Sequence, residues 1–277
     1  MNVVKRFAAR MRRTHRYEGT VAMTETGTDN GGGPPALQPW LRRPARLAYA
    51  VVEALADRIV AGHFPPGSAL PIEPDLCETF GVSRTTIREA VKALEAKGLV
   101  RARQGSGTTV TPQEDWNLLD PVVLAATFQH DDQLVVLDQL VGVRSALESQ
   151  MAAQAAVLAT EDDLRAMEEL LERLDGETAV PHRFIETDLV FHGLIMEASR
   201  NRLASSIVRT VHAQARTTSL YSGAPDTRAC ELANEEHRLL LRCLLDRDAT
   251  GAAEAMTSHI EDAWQRRRSP AGRRSTG

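Results

Sequence analysis

The chain has 277 residues, 43% of them hydrophobic but only 4% aromatic, and a formal net charge of −4. That length can bury a core and favours two domains, and plentiful Ala, Leu, Arg and Glu beside so few aromatics favours helices over sheets. No apolar run reaches the roughly 18 residues of a membrane span, the basic start Met1–Arg16 lacks the apolar stretch of a secretory signal, and Cys77, Cys230 and Cys243 show no ligand spacing, which reads as reduced thiols in a cytoplasmic protein.

The charge is unevenly divided. Leu41 to Thr111 carries ten Lys and Arg against seven acids, whereas Pro112 to Gln265 carries twelve against twenty-seven. A mildly basic head on a strongly acidic body would bind a polyanion at the head. Ahead of it, GTDNGGGPPALQP (Gly27 to Pro39) is Gly/Pro-rich and aperiodic, so residues 1–40 read as a disordered extension, with Met23 as an alternative start.

Order is expected from about Ala45, where Val51, Leu55 and Ile59 form one apolar stripe of a helix that stops at Gly62. The turn FPPGSALP follows, then a short helix from Glu73 to Phe80 ended by Gly81. Ser83 is placed to cap a second helix, Arg84 to Lys97, ended by Gly98. LVRAR and TTVT, separated by QGSG, read as a hairpin. Helix, helix, turn, helix, hairpin is the order of a winged helix-turn-helix. From Pro121 on, seven helices are expected: Leu119 to Phe128, Asp131 or Asp132 to Ala159, and Thr160 with an Asp163 capping box to Leu174, then Pro181 to Ala198, Asn201 to Thr218, Asp226 to Asp246, and Ala249 to Arg267.

Within SRTTIREAVKALEAKG, Ile87, Val91 and Leu94 form an apolar back, and Arg84, Thr85 and Arg88 share the opposite face. A recognition helix needs such a back to seat it and arginines near its N-terminus to reach bases and phosphates. The run GVSRTTIREAVKALEAKGLVRARQGSGTTV, preceded by GHFPPGSALPIEPDL, resembles the N-terminal domain of the GntR family of bacterial regulators over about sixty residues. The resemblance implies DNA contacts from Ser83, Arg84, Thr85 and Arg88, with Gln104 and Gly105 at the wing tip in the minor groove. One departure stands out: after its Leu-Pro-x-Glu element the family usually carries an arginine, and here the residue is Pro74, which has no donor.

Asp188 and His192 lie four apart on one helix, and His237 and His259 sit on two later ones. One carboxylate and three imidazoles suit zinc, nickel or manganese, although on spacing alone His237 and His259 equally suit core or solvated histidines. The second half resembles the ligand-sensing FCD domain of the FadR subfamily of GntR regulators. In its metal-binding members an Asp-x-x-x-His pair is followed by Glu-His and Met-x-x-His, and all four positions match here. WNLLDP (Trp116 to Pro121) also resembles members whose ligands are sugar acids. Arg144, His212 and Arg216 are candidates for the anionic end of such an effector, with an i,i+4 pair to Glu148 as the other reading of Arg144.

The expected fold is mainly α: a winged helix-turn-helix over 41–112, a linker over 113–120, an all-helical ligand-sensing bundle over 121–267 and a disordered tail over 268–277. The expected function is that of a non-enzymatic, homodimeric regulator, a repressor, that binds operator DNA and answers to a small acidic metabolite held at a metal, most simply zinc. A metal-dependent enzyme with a DNA-binding head is the rival, but no acid or base is nominated beside the metal. An architectural DNA-binding protein would leave the acidic domain without a role.

Overall fold

The computed structural model describes residues 44–103, 105, 107–218, 221 and 226–268; the extension, the tail and Gln104 lie outside them. The chain divides into two compact units, with the boundary in sequence between His130 and Asp131. Its fold is mainly α, with a winged helix-turn-helix ahead of a helical bundle.

In the first unit α1 (Pro44–Val60), α2 (Glu73–Phe80) and α3 (Arg84–Ala96) are followed by the hairpin β1 (Val100–Arg103) and β2 (Gly107–Val110). The expected stripe of α1 is buried: Val51, Val52, Leu55 and Ile59 meet Leu76 of α2 and Ile87, Ala90 and Leu94 of α3. Gly81 ends α2 in the left-handed conformation, and Ser83 caps α3 by accepting from the Thr86 amide at 3.2 Å. Pro74 falls in the first turn of α2, where a missing N–H costs nothing. The antiparallel strands pair Val100 with Val110 through Arg103 with Gly107, and the segment around Ala69 adds to the outer edge of β2, with Leu70 N donating to Thr108 O at 2.8 Å.

The next helix, α4 (Pro121–Gln129), departs from the expected division. Val122 and Val123 lie in the core of this first unit, α4 packs on α1, and His130 Nε2 sits 2.8 Å from Asp57 Oδ1. Asp120 anchors the helix twice, accepting from the Val122 amide at 2.9 Å and pairing with Lys97 Nζ at 2.6 Å. Residues 121–130 therefore belong with the compact unit of the head. PVVLAATF is apolar on every side, so its periodicity foretold a helix but not which core would bury it.

The second unit holds α5 (Val135–Leu158), α6 (Glu161–Glu177), α7 (Pro181–Ala198), α8 (Arg202–Ala215), α9 (Thr227–Leu245) and α10 (Ala249–Arg268). Most caps foreseen from the sequence form, including the reciprocal Thr160–Asp163 box, Asn201 on the Ala204 amide at 3.1 Å and Asp226 on the Ala229 amide at 2.8 Å. The start of α5 differs from expectation. Leu134 adopts φ 60° ahead of the helix, and Asp131, set back in the chain, reaches forward to accept from the Leu137 amide at 2.8 Å. Helix α5 packs against α7, α8, α9 and α10, and its small residues Ala152, Ala155 and Ala156, buried like Ala252 and Ala255 of α10, let backbones approach closely.

Gly98 turns the chain from α3 into β1 with φ 77°, and a Cβ there would collide with the carbonyl oxygen of Asp115. Gly98→Ala is expected to destabilise the protein by about 1–3 kcal/mol. Gly81→Ala, at φ 63° with open space around it, should cost less. Urea unfolding of the two variants followed by circular dichroism checks the order.

Candidate metal centre and DNA-reading face

Four side chains from three helices converge in the second unit. Asp188 and His192 lie one turn apart on α7, His237 is on α9 and His259 on α10, and one ligand atom from each lies within 4.8 Å of the other three. His259 Nε2 is 3.1 Å from His192 Nε2 and 3.3 Å from His237 Nε2, and Asp188 Oδ1 is 3.2 Å from His237 Nε2 and 3.7 Å from His192 Nε2. The three histidines are buried and Asp188 is partly so.

The outer edges of two rings are held by carboxylates. His192 Nδ1 is 3.1 Å from Glu148 Oε2, and His259 Nδ1 is 2.8 Å from Glu236 Oε2. A carboxylate at Nδ1 keeps the proton there and turns the Nε2 lone pair inward. Lone pairs that face one another about 3 Å apart repel, and a cation between them removes the conflict; the donor set thus fits a divalent ion, with tetrahedral zinc the simplest match. The electrostatics agree. Burial, aided by His237, pushes His259 down to about 3, and burial also lowers His237, so both stay neutral. Burial opposes charge on His192 as well, but Glu148 and Asp188 outweigh it and raise its pKa. Asp188, despite its burial, is held well below the carboxylate range by the three imidazoles.

Beside this cluster Arg144 donates through Nε to Glu148 Oε1 at 2.7 Å and through a terminal nitrogen to the Tyr221 hydroxyl. The i,i+4 pair with Glu148 is therefore present and buried. His212 meets the edge of the Tyr221 ring at 5.6 Å, and Arg267 lies over that ring's face at 5.4 Å. Burial, then the Arg144 guanidinium, push His212 well below the ordinary imidazole value, so it is neutral. Arg216 follows the last turn of α8, near enough to Asp188, Tyr221 and Arg267 to feel their charge.

On α3, Arg84, Thr85 and Arg88 are exposed on the face opposite buried Ile87, Ala90 and Leu94. The Ser83 hydroxyl is engaged inward, with the Thr86 amide and, at 2.9 Å, the Thr86 hydroxyl. Arg88 Nε points at both Glu73 carboxylate oxygens, 3.0 and 3.1 Å away, which fixes the guanidinium across the α2–α3 turn. Gly105 stands exposed at the hairpin tip with φ 80°.

Comparison with known proteins agrees with both halves. The family described as "Bacterial regulatory proteins, gntR family" matches residues 47–110, and the FCD domain family matches residues 139–262. Over 168 residues the chain is 38% identical to the HTH-type transcriptional regulator YieP of Escherichia coli K12, covering 60% of this chain and 73% of that one. It is 28% identical over 216 residues to the galactonate operon transcriptional repressor of the same organism, covering 78% and 94%. Among solved structures, Lar, described as controlling the Listeria monocytogenes agr system, has the same fold with a TM-score of 0.51 at 18% identity, covering 80% of this chain and 96% of that one.

Glu73, Tyr221, Glu236 and Arg267 were not singled out in the sequence, and Glu148 was noticed only as a partner for Arg144. Their roles come from contacts between distant segments; Glu236 alone carried a signal, as the neighbour of His237 in a Glu-His pair. Removing the charge of Glu148 would leave the buried Arg144 guanidinium without its paired counter-charge. Glu148→Gln is therefore expected to destabilise the protein by about 3–5 kcal/mol in urea unfolding at neutral pH. Burial works against the Glu148 carboxylate, but Arg144 and His192 hold its pKa well below the ordinary value. Its contribution is therefore full above the unfolded value of about pH 4 and fades as pH falls toward the lowered folded value. The difference between wild type and Glu148→Gln should shrink on acidification, and a constant difference down to strongly acidic pH would contradict this.

Proposed function

Since the chain belongs to the gntR family of bacterial regulatory proteins, as a FadR-subfamily member with an FCD domain, we propose that it represses transcription by reading an operator through α3 and lets go when its helical unit takes up a small acid beside a divalent ion. It is a DNA-binding transcriptional regulator; the metal, the acid and the residues below are the finer reading. The observation that carries it is the meeting of four ligand atoms from three helices within 4.8 Å.

Asp188, His192, His237 and His259 would hold the ion, zinc first, with nickel or manganese as alternatives. Such an ion supplies a Lewis-acid centre with room to take a carboxylate or hydroxy-carboxylate. Arg144, His212 and Arg216 orient the anionic end of that acid, and Arg267 adds a further positive charge near Tyr221. Neutral His212 can donate or accept a hydrogen bond without adding charge. The galactonate operon repressor among its relatives makes sugar acids the class to test first. The acid is bound and released unchanged, so its full recovery after incubation separates this reading from that of an enzyme. No helix among the described residues is long and apolar enough to cross a membrane.

At the head, Arg84 and Arg88 reach bases, Thr85 and the first-turn amides meet phosphates, Ser83 sets the start of the helix, and Gln104 and Gly105 enter the minor groove at the wing tip. A homodimer presents two such heads to a pseudo-palindrome. The acid alters operator affinity only by the difference in its binding to the two conformations, typically about 1–3 kcal/mol.

Arg84→Ala and Arg88→Ala are each expected to weaken operator binding by about 1–3 kcal/mol with the fold intact, read by mobility-shift titration at fixed salt. Full affinity in both variants would remove α3 as the reading helix. Elemental analysis of protein purified without chelator is expected to give one divalent ion per chain. His192→Ala should lose that ion and its response to sugar acids while keeping operator binding near that of wild type. A metal-free preparation whose operator binding still responds to the acid would take the ion out of the mechanism.

A further inference from the structure

The three imidazoles differ at their outer nitrogens. His192 Nδ1 faces Glu148 and His259 Nδ1 faces Glu236, but His237 Nδ1 is buried with no hydrogen-bond partner. A histidine that ligates through Nε2 must carry its proton on Nδ1, and a buried N–H needs an acceptor. His237 is fully buried, with its ring flanked by Phe184 and, at 4.9 Å, by Phe191, so neither neighbour can accept that proton.

One turn earlier on α9 is Asn234, also fully buried. Its Nδ2 donates to Asp175 Oδ1 of α6, and Arg238 holds the same carboxylate oxygen from the solvent side. That bond fixes which end of the amide is which, because the opposite orientation would set oxygen against carboxylate. The Oδ1 left over is itself buried and without a partner. In the tautomer that ligates through Nε2, an orphaned donor and an orphaned acceptor therefore stand at i+3 and i of one helix, neighbouring positions whose Cβ atoms are roughly 5–6 Å apart. Asn234 also lines a surface pocket of about 260 Å³ between α6 and α9.

We propose that Asn234 is a positioning residue for the metal centre: its Oδ1 takes the Nδ1 proton of His237 across one buried water and so holds that ring with Nε2 free to ligate. The proposal rests on the metal-site reading above. It gives every histidine of the cluster an acceptor behind it, two of them carboxylates and the third an amide backed by Asp175 and Arg238.

The test uses the full-length protein loaded with Co²⁺, whose paramagnetism moves the exchangeable Nδ1 protons of ligating imidazoles out of the crowded region of a proton NMR spectrum in water. Wild type should show three such signals. Asn234→Leu is expected to lose one to exchange with solvent, keep the other two, and bind Co²⁺ and Zn²⁺ about 10–100-fold more weakly in chelator competition. Asn234→Asp, which keeps an oxygen acceptor, should retain all three signals with one of them shifted. Three signals and unchanged affinity in Asn234→Leu would overturn the proposal. Should that variant fail to fold, Asn234→Asp decides it, since a spectrum identical to wild type would show that nothing at position 234 touches the proton. If wild type itself takes up no Co²⁺, the metal reading falls and this one with it; uptake by wild type with an indifferent Asn234→Leu sinks this one alone.

Discussion

Three imidazole nitrogens and a carboxylate oxygen pointed at one another inside a helical bundle are a conflict that the rest of the second unit is arranged to sustain. Each ring is held from behind or along its sides: Glu148 and Arg144 reach from α5, Glu236 and Arg266 brace His259, and two phenylalanines pack beside His237. The bundle around them is built to let backbones come close, with alanines buried on α5 and α10. Small residues permit close approach of helix backbones, here of α5 to α10, the helix that carries His259. The alanines thus let α5, which carries Glu148, pack closely on α10, and the carboxylates set which way the rings face.

What could be read ahead of the structure was what is local. Helix caps depend on residues one to three apart, so Ser83, Thr160 with Asp163, Asn201 and Asp226 could each be named from the chain alone, and each forms. The one-turn spacing of Asp188 and His192 put them on one face for the same reason. The start of α5 was misplaced because Leu134 takes a left-handed conformation that no glycine or asparagine advertised. The partner of α4 was misjudged because a helix apolar all round has no preferred side. Glu73 beside Arg88 and Tyr221 beside Arg144 join residues 15 and 77 positions apart, and no pattern within a helix reports such a meeting.

Charge follows a similar division of labour. On α3 the guanidinium of Arg88 is exposed and paired with Glu73, so if it reads DNA as proposed, less of its freedom is left to lose. In the bundle Arg144 is buried and paired with Glu148 and Tyr221, and an acid bound there as proposed would have to share it with both. An anion that entered there would meet a guanidinium already satisfied, and would gain more from groups whose charge is still partly solvated, such as Arg216. Selectivity for one acid over another would then come from its hydroxyls and shape rather than from its charge.

The packing of α4 bears on how regulators of this kind can be taken apart and recombined. Val122 and Val123 complete the core of the DNA-reading unit, Asp120 ties the helix to Lys97, and His130 ties its far end to Asp57. A hybrid that joins this head to a foreign sensor at residue 112, where the wing ends, would strip two valines from the core that α1 and α3 share. The natural seam for such grafting lies between His130 and Val135, where the only regular structure is the turn that Asp131 closes. A sensor spliced in at that turn inherits a head whose interior is already whole, and the exchange of specificities becomes a matter of matching one short turn rather than rebuilding a core.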